Sequence, residues 1–128
     1  MNDTNEPQWF RAHGYGCETR MGPFSINGYV TLPEGHPWLD HGDLVMNPHV
    51  DVDVHGGITY HKGRTIGFDT AHCGDAWHPE APGTKKILEQ ENGHRLIPAG
   101  RLWSESMVRD ETIRLARQAA QAEQENGE

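Results

Sequence analysis

The stretch HVDVDVHGG, residues 49–57, decides how the chain is read. As a β-strand it points Val50, Val52 and Val54 to one side and His49, Asp51, Asp53 and His55 to the other, because successive side chains alternate across a strand. Two further short runs follow closely: ITY (58–60) after Gly56-Gly57, and TIGF (65–68) after the turn at Lys62-Gly63. β-Branched and aromatic residues joined by such short turns predict antiparallel neighbours, a meander at the centre of the fold.

Working outward, YGCETRM (15–21) and SINGYVTL (25–32) flank Gly22-Pro23 and predict a hairpin. LPEGHPWLDHGDLVMNP (32–48) holds Pro33, Pro37 and Pro48 with Gly35 and Gly42, which predicts a long loop, the kind of segment in which function concentrates. A second loop, DTAHCGDAWHPEAPG (69–83), precedes a short helix over TKKILEQE (84–91). Ser104 is a good N-cap for a final helix, on which Val108, Thr112, Leu115, Ala116 and Ala119 recur on one face while Arg109, Glu111, Arg114 and Arg117 occupy others. The expected fold is α+β: a small antiparallel β-sheet of hairpins and meander, with long loops and a C-terminal packing helix. Residues 1–14 are expected to be a partly flexible N-terminal segment, 15–121 a single domain, and 122–128 a flexible tail.

A length of 128 residues suits one domain and one core. The net charge of −8 repels phosphate backbones and anionic membranes, so nucleic acid is a disfavoured partner. Acidic DNA mimicry needs long carboxylate runs, whereas the acids here are scattered among His, Gly and Pro. No run approaches the ~18 apolar residues of a membrane span, and MNDTNEPQWF has neither the basic nor the apolar region of a signal peptide. Two cysteines, Cys17 and Cys73, are too few for a disulfide framework. A soluble, cytoplasmic protein is expected.

Nine histidines direct attention to metal ligation and proton chemistry. His55 abuts two glycines, whose missing side chains allow backbone or ligand to approach. In FDTAHCGD (68–75), Asp69 ends a strand, with His72 at i+3 and Asp75 beyond Gly74, so these groups can meet His55 at the strand ends. The bland alternative is an Asx-turn at Asp69 with His72 exposed. His36 and Trp38 from the first loop and Trp77 from the second complete a candidate ligand-binding set with His55, Asp69, His72 and Asp75, the rings serving as stacking surfaces. A metal set of His55, Asp69, His72 and Asp53, binding Zn or Mn with Asp75 as general base, is the hydrolytic alternative. Cys73 beside His72 is a weak nucleophile candidate, since adjacent residues point apart.

GYV (28–30), PEGHP (33–37), VDVHGGITY (52–60), GFDTAHCGD (67–75) and ETIRLARQ (111–118) together resemble a family of small proteins common in bacteriophages and prophages, over residues 15–120. Members of that family carry a cysteine at the position of Thr70 and a small residue at that of Cys73, which argues further against a catalytic Cys73. The resemblance implies an accessory role in a bacterial host cytoplasm, countering host functions such as nucleotide-signalled immunity. Three functions are therefore expected in competition: a binder of a small polar, nucleotide-derived ligand, a metal-dependent hydrolase, and an acidic inhibitor of a host protein. An anionic ligand would need Arg20, Lys62, Arg64 or Arg101 focused locally, from one subunit or from a homo-oligomer.

Overall fold

The computed structural model describes residues 6–126. Five strands form one antiparallel sheet: β1 (Gln8–Ala12), β2 (Tyr15–Met21), β3 (Ile26–Thr31), β4 (Tyr60–Lys62) and β5 (Thr65–Phe68), in the order β1-β2-β3-β5-β4. Two helices follow, α1 (Pro82–Leu88) and α2 (Glu105–Asn126), with single 3₁₀ turns at Pro37–His41 and Gly93–Leu96. The α+β class and the packing helix agree with the sequence. No helix among the described residues is long and apolar enough to cross a membrane.

β1 to β3 form a meander whose first turn, His13-Gly14, has φ of 53° and 85°. Positive φ at both central residues matches the strand twist, which is why a glycine is needed there. β2 begins and ends as its sequence predicts. β1 corrects the expected boundary: residues 8–12 are paired with β2 from Gln8 opposite Thr19 to Ala12 opposite Tyr15, so the domain starts before residue 15. The C-terminal boundary moves too, because α2 runs to Asn126 and Glu123 accepts a hydrogen bond from the Tyr15 hydroxyl. The last two residues of the expected tail (122–128) and the first five residues of the chain lie outside the described residues.

The opening stretch is the main correction. Residues 50–54 bury Val50 and Val54 and expose Asp51 and Asp53, as alternation predicts, yet they join no ladder. Side chains of α2 take the place of a neighbouring strand. Asp53 N–H donates to Gln118 Oε1 at 2.7 Å, Gln118 Nε2 donates to the Asp53 carbonyl at 2.8 Å, and His55 N–H donates to Glu111 Oε2 at 2.8 Å. Three backbone groups of this run are thus satisfied by side chains of α2, which stand there in place of a paired strand. The sheet centre is β2-β3-β5, and the hairpin β4-β5 docks its second strand on β3.

α2 covers one sheet face. Val108, Thr112, Leu115, Ala116 and Ala119 are fully buried against Cys17, Val30, Ile66 and Phe68, and a Cβ at Gly28 would fall 2.1 Å from Thr112 Oγ1. Ser104 Oγ accepts from Met107 N–H at 3.3 Å and caps the helix as expected. Burial pushes the Cys17 thiol up to about 11, making it an inert core group. The opposite sheet face has no covering layer among the described residues.

Candidate functional site

The loop leaving residue 54 and the loop leaving β5 converge beside α2. His55 Nε2 donates to Asp75 Oδ2 at 2.7 Å. Asp75 is 2% exposed and accepts from two further donors: Trp103 Nε1 donates to Oδ1 at 3.0 Å and His72 N–H donates to Oδ2 at 3.0 Å. Burial alone would raise the Asp75 carboxyl, but the donors from His55, His72 and Trp103 together outweigh it and hold the group below the usual carboxylate range. Asp75 is therefore an ionised anchor and not the general base expected of it, since it is buried and held by three donors from the protein.

That anchor fixes His55. With Nε2–H committed to Asp75, the ring presents Nδ1, which has no protein partner among the described residues and is not sealed from solvent. The ring also packs on Trp103 at 4.6 Å between centroids and lies edge-on to His72 at 5.6 Å. A carboxylate behind one imidazole nitrogen and an open second nitrogen is the arrangement that sets a tautomer and leaves a base, a donor once protonated, or a single ligand position.

His72 sits differently. Its Nε2 lies 2.9 Å from Asp69 Oδ1, an ion-pair distance, but the geometry misses hydrogen-bond alignment and the atom is buried without a partner. A Cβ at Gly56 would meet this nitrogen at 2.1 Å, so the space opened by the glycine, which has φ 71°, is filled by the His72 ring. Asp69 forms the Asx-turn as well, accepting from Ala71 N–H at 3.1 Å through Oδ1 and from the Thr59 hydroxyl at 3.1 Å through Oδ2.

His55, Asp69, His72 and Asp75 are brought together; the other expected residues are not. His36 is 1% exposed and spends both nitrogens on structure: Nε2 donates to the Ala119 carbonyl at 2.8 Å, and Nδ1 accepts from Trp38 N–H at 3.0 Å. Trp38 is buried beside it, and Trp77 stacks on Phe24 at 4.4 Å. Asp53 points to Arg114 at 3.2 Å. Among the described residues no three His, Cys, Asp or Glu side chains converge to hold a metal ion, so the expected set of His55, Asp69, His72 and Asp53 is not assembled. Cys17 is buried and Cys73 exposed, and both are free.

Trp103 and Glu111 belong to the site although the sequence did not nominate them. Trp103 immediately precedes the helix cap Ser104, and Glu111 forms an i,i+3 pair with Arg114 at 2.9 Å, the only local hint that it is held. Burial raises the Glu111 carboxyl, yet the Arg114 guanidinium and the His55 N–H more than reverse it. No protein-family model, curated protein or solved structure matches the chain.

Proposed function

We propose that the chain is a binding protein of the phage accessory kind, and that the His55–Asp75–Trp103 cluster recognises a small polar ligand through His55 Nδ1. The observation that carries this reading is the 2.7 Å bond from His55 Nε2 to a buried carboxylate that Trp103 and the His72 amide also hold. Such a carboxylate fixes the ring's orientation, and the free nitrogen can donate to an anionic or carbonyl oxygen when protonated or accept from a hydroxyl when neutral. The accessory role rests on the resemblance to phage proteins; countering host defence is the form it takes.

The same fixed tautomer favours a second reading, a hydrolase in which His55 serves as general base without a metal. It keeps the hydrolytic idea but moves the base from Asp75 to His55.

Imidazole nitrogen NMR of the labelled full chain tests both. Inorganic phosphate, simple carboxylates and mono-, di- and cyclic nucleotides are titrated in turn. Binding is expected to move His55 Nδ1 while Nε2 stays fixed, to raise the melting temperature progressively with the logarithm of ligand excess, and to vanish in His55→Ala. Product appearing during the titration, lost in His55→Ala, selects the hydrolase. A panel that leaves the His55 nitrogens untouched removes the proposal.

A further inference from the structure

We propose a second binding site, on the uncovered face of the sheet, for a mononucleotide: a planar base held by aromatic side chains and a phosphate held by arginines. It is separate from the His55 cluster, which lies beside α2 on the covered side.

The strand register lays out this face in two rows. Trp9 is opposite Glu18, Glu18 opposite Tyr29, Tyr29 opposite Gly67, and Gly67 opposite Tyr60. One step along the strands, Arg11 is opposite Gly16, then Thr31, Thr65 and Lys62. The first row is aromatic on β1, β3 and β4. The second has a cation at each end and small or hydroxyl-bearing residues between.

Two adjoining hollows follow from that layout. The first, of about 410 Å³, is walled by Trp9 and Tyr29 with Gly16 in its floor. A Cβ at Gly16 would touch nothing within 4 Å, so this floor is open, unlike that at Gly67, where the Tyr29 ring already lies 2.5 Å from the position a Cβ would take. The second, of about 420 Å³, shares Arg11, Gly16 and Thr31 with the first and is bounded on its far side by Arg64. Each volume is in the range of small-ligand sites, about 300–1,000 Å³. Trp9 is 71% exposed on an ordered strand, an arrangement that places a large ring in water with no packing return from the fold.

Charge selects the occupant. The chain is net −8, yet this face carries Arg11, Arg20 and Lys62, with Arg64 at the rim of the second hollow; Arg11 gives one nitrogen to the Gly14 carbonyl, which fixes it beside Gly16. A carboxylate lines each hollow, Glu18 the first and Glu123 the second, and both are engaged: Glu18 pairs with Arg20 at 2.9 Å, and Glu123 accepts from the Tyr15 hydroxyl. Arg64 gives one nitrogen to the Leu32 carbonyl at 2.8 Å, which orients its guanidinium at the hollow's edge. Aromatic walls fit the face of a base regardless of sequence, while guanidiniums spanning a glycine-and-threonine rim fit a phosphate. A long polyanion is opposed by the overall charge; a single nucleotide is not, because screening confines its interactions to within about 10 Å.

Amide NMR titrations of the full chain with AMP, adenosine and inorganic phosphate provide the test. AMP is expected to give saturable shifts at the Trp9 indole and at Gly16, Tyr29 and Thr31, with a submillimolar dissociation constant. Trp9→Ala should weaken AMP and adenosine alike, about tenfold. Arg11→Gln should weaken AMP several-fold and leave adenosine unchanged. His55→Ala should alter none of these, which separates this site from the one proposed above. The inference is overturned if AMP produces no saturable shift on these residues, if its affinity survives Trp9→Ala, or if shifts on this face track protein concentration without nucleotide, the mark of a second copy in place of a ligand.

Discussion

The two faces of the sheet are made by alternate residues of the same strands and are finished in opposite ways. On β3, Gly28 faces α2 and Tyr29 faces outward; on β2, Cys17 is sealed in the core and Gly16 floors an open hollow. On the covered side the space beside a glycine is already taken, by Thr112 and Phe68 over Gly28. On the open face the Tyr29 ring takes it over Gly67, but over Gly16 it is empty. The His55 cluster belongs to the covered regime, with most donors and acceptors spent on one another and one ring nitrogen, His55 Nδ1, left open to solvent. The open face holds its arginines by local contacts, Arg11 to the Gly14 carbonyl, Arg20 to Glu18 and Arg64 to the Leu32 carbonyl, and leaves Trp9 standing in solvent. A buried polar network thus specifies structure first and offers one atom for function, whereas an uncovered sheet offers a surface.

The largest test of this contrast is Asp75→Ala. Removing the carboxylate leaves Trp103 Nε1, the His72 amide and the His55 ring without their acceptor inside the fold, and a broken buried pair costs about 3–5 kcal/mol. Urea unfolding should show a loss of that size at neutral pH. A loss below about 1 kcal/mol, typical of exposed ion pairs, would mean that the cluster is not a sealed network.

Gly28→Ala comes next. Its Cβ would lie 2.1 Å from Thr112 Oγ1 and 2.6 Å from the Phe68 ring, so α2 or the ring must shift, at about 1–3 kcal/mol. The gain from replacing a strand glycine, about 0.5–1 kcal/mol, is smaller and opposite in sign. Net destabilisation in urea unfolding is expected; an unchanged midpoint would show that the helix is not seated on β3 as described.

These positions also explain what the sequence could and could not show. The α2 stripe was legible because five residues at helical spacing meet one surface, and β2 because turns punctuate both its ends. β1 was hidden because a five-residue strand with an exposed Trp9 and Arg11 carries little alternation to read. Residues 49–54 misled for a more instructive reason: period-two alternation reports that one side is buried and says nothing about what satisfies the backbone, here Gln118 and Glu111 from more than fifty positions away. The quartet His55, Asp69, His72 and Asp75 could be nominated because it sits at strand and turn ends. Trp103 and Glu111 could not, since what draws them in is the path of α2. His36 and Trp38 looked like loop ligands, but the loop carries them into the core, where α2's own carbonyl claims the imidazole.

Acid titration should then separate the network from the rest of the molecule with a smaller signal. The Asp75 and Glu111 carboxyls are both held below their ordinary values. For a depressed acid, the stabilisation is fully present above the unfolded pKa, near 4, and is lost as pH falls through the folded value, because the unfolded chain takes up the proton first. Stability should fall more steeply below about pH 4, by up to about 1.4 kcal/mol per pH unit for each proton taken up. In Asp75→Asn part of that slope should disappear. Identical slopes for the two proteins would show that Asp75 gains nothing from its donors.

The smallest effect is the sharpest discriminator between the faces, because its sign differs. Gly16→Ala adds a methyl group at a strand position of ordinary φ with nothing within 4 Å. The strand gains backbone order and loses no contact, so stability should stay level or rise by up to about 1 kcal/mol, against the loss expected one strand away at Gly28. The same methyl group projects into the hollow between Trp9 and Tyr29, where it would displace the edge of a bound ring and weaken AMP. Stability and affinity should thus move in opposite directions for this one substitution. If Gly16→Ala instead destabilises the fold as Gly28→Ala does, the outer face is packed against something, and the asymmetry on which the nucleotide site rests is gone.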